Sequence, residues 1–245
     1  MTPFKALYRK ELAGYFYSPV AYVFIIMFLL ASVGSTFFLG QFFESGQASL
    51  DGFFFFHPWL YLFFIPAIGM GLWAEESNQG TLELLLTLPI GVGEAVMAKF
   101  LAAWSFISLG LALTFPLVLS VGYLGSPDYG VIATGYLGSF LMAGAFLAFA
   151  SFTSSLTSNQ VVSFILSLMV CLVLVLSGWG VFMDILNRFL PPQVTEWIST
   201  FSFTSHFKPF NQGVIDLRDL VFFVSFIGLS LVATYRVITR KMEVG

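Results

Sequence analysis

EESNQGTLELLLTLPIGVGEA, residues 75–95, lies between two long apolar runs, and its reading decides the fold. It holds four of the chain's 13 acidic residues. Ser77, Asn78 and Gly80 predict a polar bend. Thr81 predicts an N-cap, and residues 82–88 a short amphipathic helix that stops before Pro89. Glu83 is favoured near that helix's N-terminus by the dipole. Gly91 and Gly93 loosen the chain before Glu94 and the next run. The leucines at 82, 84, 85, 86 and 88 are too many for a solvated loop. They face lipid, other helices or another protein, although an interfacial loop with solvated carboxylates also fits the composition.

The flanking runs belong to a membrane protein. Of 245 residues, 58% are hydrophobic and 9% charged, with a mean hydropathy of +0.91, where a soluble domain carries about 25% charged residues. A spanning helix needs about 20 apolar residues, and six runs qualify: residues 20–39, 53–73, 98–122, 131–152, 161–183 and 220–238. Their interiors hold no Asp, Glu, Lys or Arg, with Lys99 and Arg236 falling at run ends. The first run is no signal peptide, because Phe37, Phe38 and Leu39 continue it past the weak cleavage site at Ser32 and Gly34. With both termini in the cytoplasm, seven cations lie inside (Lys5, Arg9, Lys10, Lys99, Arg236, Arg240, Lys241) and three outside (Arg188, Lys208, Arg218). Positive charge marks the inside. The expected fold is therefore a single all-α membrane domain, residues 1–245, with six spans and both termini inside. Residues 75–95 and the link 154–160 are then cytoplasmic, and residues 184–219 external.

Two other polar segments stand out. In the leader, residues 1–18, Phe4, Leu7, Tyr8, Leu12 and Tyr15 share a helical face while Lys5, Arg9 and Lys10 lie on others. That pattern predicts a helix lying in the membrane interface, turning at Ser18-Pro19. It is either a topogenic anchor or a lever touching a partner. In 184–219, Pro191-Pro192 breaks the chain. Residues 194–207 then predict an interfacial helix or a re-entrant pair. Asp216, Arg218 and Asp219 follow at the entrance to the last span, where a local Asp–Arg pair is expected ahead of a substrate contact.

Within the runs, His57 sits beside Pro58 and Trp59 in an aromatic-belt setting and is expected to be structural. Pro66 and Pro116 kink their helices. Gly135, Ser139 and Ala143, four apart, allow close helix approach, within the monomer or between copies. Cys171 is a lone buried thiol.

The chain contains no GxxxxGK[ST], HExxH, CxxC or GxSxG, so it lacks those nucleotide, metal and nucleophile motifs. The ionisable residues that mark ion-coupled transport or intramembrane proteolysis are missing from the span interiors. No basic stripe suggests nucleic acid. What remains is a membrane scaffold that draws any energy from elsewhere, with no catalytic residue, metal or cofactor of its own.

YRKELAGYFYSPVAYVF (8–24), FHPWLYLFFIPAIGMGLWAEE (56–76), GTLELLLTLP (80–89), KFLAAWSF (99–106) and GVIDLRDLVFF (213–223) together resemble the type-2 ABC exporter permeases. The likeness is nearest the gliding-motility-associated permease subfamily and covers essentially the whole chain. The resemblance implies a bacterial inner-membrane subunit working with two copies of a cytosolic ATPase, which bind ATP and magnesium, and with a second permease, identical or homologous. It implies a coupling helix in residues 75–95, with docking residues Glu75, Glu76, Gly80, Thr81, Glu83 and Leu84. It implies an interface helix in the leader, carrying Lys5, Tyr8, Arg9 and Glu11, and short external helices in 184–219. Related operons often encode an auxiliary membrane-anchored protein with an extracytoplasmic domain. Many relatives carry basic residues after the paired carboxylates, where this chain has Ser77, Asn78 and Gln79. The leading expectation is an export permease of unknown substrate. The alternative is a non-transporting module of an ABC-type complex, doing mechanical or regulatory work on envelope proteins.

Overall fold

Apolar runs of this length fold as helices because a backbone in hydrocarbon must satisfy its own hydrogen bonds. The computed structural model describes residues 2–40, 42, 48–82 and 90–244, and these form helices and connecting turns without a strand. The leader is α1 (Pro3–Tyr17). α2 (Pro19–Gly34) follows the extended Ser18 and ends in a wider π-type turn, Ser35–Leu39. Then come α3 (Asp51–Gly69), α4 (Gly71–Gln79), α5 (Val92–Ala112) and α6 (Phe115–Leu124). The chain continues through α7 (Tyr129–Leu156), α8 (Gln160–Leu176) and α9 (Gly180–Leu186). It closes with α10 (Pro192–Thr200), α11 (Phe203–Asn211) and α12 (Leu217–Val244).

Among the described residues, five helical stretches are long and apolar enough to cross a membrane: Pro19–Leu39, Asp51–Gln79, Val92–Leu124, Tyr129–Leu156 and Leu217–Glu243. A sixth exists if α8 and α9, bent by 90° between them, count as one. The run 161–183 is thus helical only to Leu176 before it turns. Its turn has a local cause. The Ser202 hydroxyl fills the space that a side chain on Gly178 would need, and Thr204 Oγ1 donates to the Val175 carbonyl at 3.0 Å. The start of α11 is wedged against the end of α8.

α7 is the hub, packing against α3, α4, α5, α8, α11 and α12. Its small residues make this possible. A side chain on Gly135 would meet the Phe54 ring, one on Gly138 the Cβ of Phe210 at 2.6 Å, and one on Gly144 the Trp104 ring. Ala150 seats against Gly69 so closely that a Cβ there would overlap its own. The row Gly135, Ser139 and Ala143 is therefore spent inside the monomer. All three are buried.

Breaks in the spans are repaired by side chains. Between α3 and α4 the Ser154 hydroxyl donates to the Met70 carbonyl (2.7 Å) and accepts from the backbone N–H of Trp73 and Ala74 (3.0 Å each). Between α5 and α6, Thr114 donates to the Leu111 carbonyl at 2.6 Å, and Pro116 starts the next helix. His57 is wholly buried among the rings of Phe28, Phe53, Phe54 and Tyr61. Its ring stacks on Tyr61, and Nδ1 lies 2.7 Å from Ser139 Oγ.

The predicted polar bend is corrected. Ser77 and Asn78 belong to α4, and the turn falls at Gly80, whose φ of 68° is left-handed and suits a residue without Cβ. Thr81 follows in helical conformation, and the residues it was expected to cap, Glu83 and Leu84, lie outside the described residues. The Thr81 hydroxyl reaches back to the Glu76 carbonyl at 3.5 Å. Most of the expected helix 82–88, with Glu83 and Leu84, lies outside the described residues. Gly91 is the extended residue before α5, its N–H 3.4 Å from Glu94 Oε2, whereas Gly93 is already helical and packs toward Tyr235.

Candidate functional site

One end of the bundle gathers α1, the end of α4, the start of α5 and the C-terminal part of α12. Where they meet, Lys99 is buried, with 4% of its side chain exposed. It stands two turns into α5, on the face that α1 covers. Burying an ammonium is tolerable only with partners, and Lys99 has two. Its Nζ lies 2.8 Å from Glu76 Oε1 at the end of α4 and 3.2 Å from Glu11 Oε2 on α1. The Trp73 ring flanks it at 5.4 Å, and Trp73 is itself fixed by Nε1–H donation to Ser151 Oγ at 3.0 Å. Lys10 approaches Glu11 at 3.7 Å from the exposed side, a contact of little energetic weight.

The rest of α1 is tied to α5 along the same line. Tyr8 Oη and Ser105 Oγ are 2.9 Å apart, and Tyr15 stacks on Phe106 with ring centroids 4.8 Å apart. Burial first, then the negative charges of Glu11 and Glu75, push the Tyr15 phenol upward, so the stacked ring stays neutral. Leu7 is buried, while Lys5, Arg9 and Lys10 are exposed. α1 is thus a two-faced helix whose inner face locks onto α5. Lys99 holds it by charge to the root of the connector.

The expected docking residues separate. Glu75 is exposed and accepts from Gln79 Nε2 at 3.2 Å, whereas Glu76 points inward onto Lys99. Gly80 and Thr81 follow at the turn. Glu83 and Leu84 lie outside the described residues. Lys99 was missed by the sequence reading. The signal was there: a lone lysine amid Val96, Met97, Ala98, Phe100 and Leu101 must find a partner or water.

At the opposite end, the expected Asp216–Arg218–Asp219 pairing is replaced. Asp216 Oδ1 accepts from the Arg218 backbone N–H at 2.9 Å, opening α12. Asp219 turns inward to His206 on α11, with Oδ1 to Nδ1 at 2.6 Å, while His206 Nε2 faces the Thr200 carbonyl at 2.9 Å. A carbonyl only accepts, so Nε2 carries a proton. The Asp219 carboxylate engages the other ring nitrogen, so both nitrogens of His206 have partners. The pair is buried and its imidazole stacks on Phe222, 3.9 Å between centroids. It ties α11 to the entrance of α12, and Asp219 has no open face for a substrate.

Among the described residues no group of three or more His, Cys, Asp or Glu is placed to hold a metal ion. Cys171 is buried and free. The Lys99 cluster joins α1, α4 and α5 and is suited to transmit position between helices.

Among proteins of curated function, none matches this chain. Residues 6–238, nearly its whole length, match the family model of the ABC-2 family transporter proteins, and the chain belongs to that family: it is a multi-pass membrane permease component of an ABC transporter.

Proposed function

We propose that the chain is an export permease of a bacterial cytoplasmic membrane. It pairs with a second permease and is driven by two copies of a cytosolic ATPase, which carry the ATP and magnesium. Both termini and the connector 75–95 face the ATPase. Glu75, Gly80, Thr81, Glu83 and Leu84 form the docking segment, joined by the exposed cations Lys5 and Arg9 of α1.

The observation that carries this reading is the Lys99 junction. An ATPase pushing on the connector acts first on the end of α4. There Glu76 is bonded to Lys99, and Lys99 to Glu11. Displacement of the connector root is therefore passed to α5 and α1 together, instead of being lost in a hinge. Glu76 then acts as a strut within the permease and not as a contact to the ATPase. Transport requires the assembly to hold two packed arrangements, and the breaks at Met70 and Leu113–Thr114 are where the spans can bend.

The experiment is co-purification with the ATPase encoded beside it, followed by ATP turnover in a bilayer. The wild-type complex is expected to form, and Glu75→Lys with Glu83→Lys to weaken it. Failure of the wild type to bind that ATPase, or unchanged binding and turnover by both variants, defeats the assignment.

A further inference from the structure

Two wholly buried polar side chains share one helix interface inside the spans. Ser32 lies on α2 and His57 on α3, with no part of either exposed. The two helices run antiparallel, and three contacts set their register. The Phe24 ring meets Phe64 and the Phe28 ring meets Tyr61, with centroids 6.3 and 6.1 Å apart, and a side chain on Gly52 would lie 3.3 Å from the Gly40 Cα. Ser32 is one turn beyond Phe28, and His57 is one turn before Tyr61. They therefore stand at the same level, on the faces that α2 and α3 turn to each other. The Phe28 ring itself lies nearly parallel to the imidazole, 6.3 Å between centroids.

Each side chain carries one polar atom that finds no partner. His57 Nδ1 is engaged with Ser139 Oγ at 2.7 Å, which leaves Nε2 without a hydrogen bond among the described residues. Ser32 Oγ is equally without one. The Ser32 carbonyl is used twice, by Ser35 Oγ at 3.0 Å and by Thr36 Oγ1 at 2.7 Å, where α2 widens into its π-type turn. Buried polar atoms left in this way are costly, and in hydrocarbon no bulk water relieves them. Two of them, at one level of one interface and not reaching each other, are what an internal water bridges. The chemistry narrows the guest further. Neither helix carries an ionised side chain at this level, so an ion has no counter-charge. Nε2 is a donor or an acceptor according to which way Ser139 shares its proton, and a water answers either.

We infer that one water molecule is bound between Ser32 and His57 and joins α2 to the hub helix. The link runs from Ser32 Oγ through the water to His57 Nε2, and from Nδ1 to Ser139 on α7. The two bridged atoms then stand about 4.5–5.5 Å apart. Phe53 walls the site, its ring 4.3 Å from the imidazole between centroids. Polar links of this kind hold helices together where the hydrophobic effect between them is absent. The site lies inside the spans, apart from the Lys99 junction, and does not depend on the coupling reading.

The full chain in phosphatidylcholine nanodiscs is equilibrated in water enriched in heavy oxygen and given a short X-ray pulse. Hydroxyl radicals formed from a bound water oxidise the side chains it touches, and mass spectrometry of the peptides locates the heavy oxygen. Phe53 is expected to take up the label, while Phe223, as deeply buried, takes up none. Ser32→Ala removes one anchor of the water and is expected to lose the label at Phe53. His57→Phe keeps a ring, removes both nitrogens and is expected to lose it too. Melting of each variant confirms that it is folded, and either variant alone decides. An unlabelled Phe53 in the wild type, equal labelling of Phe223, or label at Phe53 that survives either substitution overturns the site. The permease is tested without its ATPase, so this failure is distinct from failure of the coupling reading.

Discussion

Replacing Lys99 by methionine keeps most of the unbranched apolar stem and removes the ammonium that contacts Glu11 and Glu76. The wild-type contacts of 3.2 and 2.8 Å hold the Glu11 and Glu76 carboxylate oxygens within about 6 Å of each other. Without the ammonium the two negative charges repel by about 3 kcal/mol at an effective dielectric of about 20. Both side chains are more than four-fifths buried, so solvent screens this only in part. Breaking a buried ion pair from one side costs a similar ~3–5 kcal/mol. The strain is relieved most simply by α1 lifting from α5. Lys99→Met is therefore expected to lower the melting temperature in detergent and to open trypsin sites at Lys5, Arg9 and Lys10. Glu11→Gln added to Lys99→Met leaves one carboxylate there, and the double variant is expected to recover a large part of the loss. If Lys99→Met melts like the wild type with α1 no more cleavable, or if the double variant is worse than the single, Lys99 is not the junction described.

Three further outcomes follow from other contacts. Ser154→Ala takes the hydroxyl from the break at Met70 and orphans buried backbone groups of Met70, Trp73 and Ala74. The expected cost is about 1–3 kcal/mol, read by melting, with Ser154→Thr closer to the wild type. Asp219→Ala removes the partner of His206 Nδ1 and leaves a buried ring nitrogen without a hydrogen bond, which is expected to cost about 1–3 kcal/mol and to speed hydrogen exchange in α11. Gly69→Ala forces a methyl into Ala150 and is expected to destabilise by about 1–3 kcal/mol, whereas Gly228→Ala, with open space around it, is expected to be neutral or slightly stabilising.

The helical content and the apolar runs were legible because hydrocarbon imposes one solution on a long apolar segment. The inner and outer faces of α1 were legible because helical spacing puts Leu7, Tyr8 and Tyr15 on one side. The junction was not. Lys99 and Glu11 are 88 positions apart, and Lys99 counted only as a topological cation at a run end. A charge at such an end can reach water or a partner, and local sequence does not say which. His206 and Asp219 escaped differently. Arg218 beside Asp219 looked like its natural partner, but helical geometry points adjacent residues to different faces, and the inward face belonged to α11. The polar run after Glu76 predicts a bend, since Ser and Asn favour turns. Only Gly80 has the left-handed backbone that ends the helix. The turn after α8 is marked locally only by Gly178 and Gly180, while the contact that fixes it, Ser202, comes from the start of α11.

The central claim is that Glu76, Lys99 and Glu11 carry ATPase motion from the connector into the spans. Exchanging the charges, Glu76→Lys with Lys99→Glu, keeps two carboxylates and one ammonium at the junction while moving the ammonium to α4. The measurement is ATP turnover by the assembled permease–ATPase complex in a bilayer, at equal complex yield. The claim predicts that either single substitution disturbs the permease's control of turnover and that the exchanged pair restores it toward the wild type. Wild-type turnover in the single variants, or an exchanged pair as defective as the singles, would contradict it.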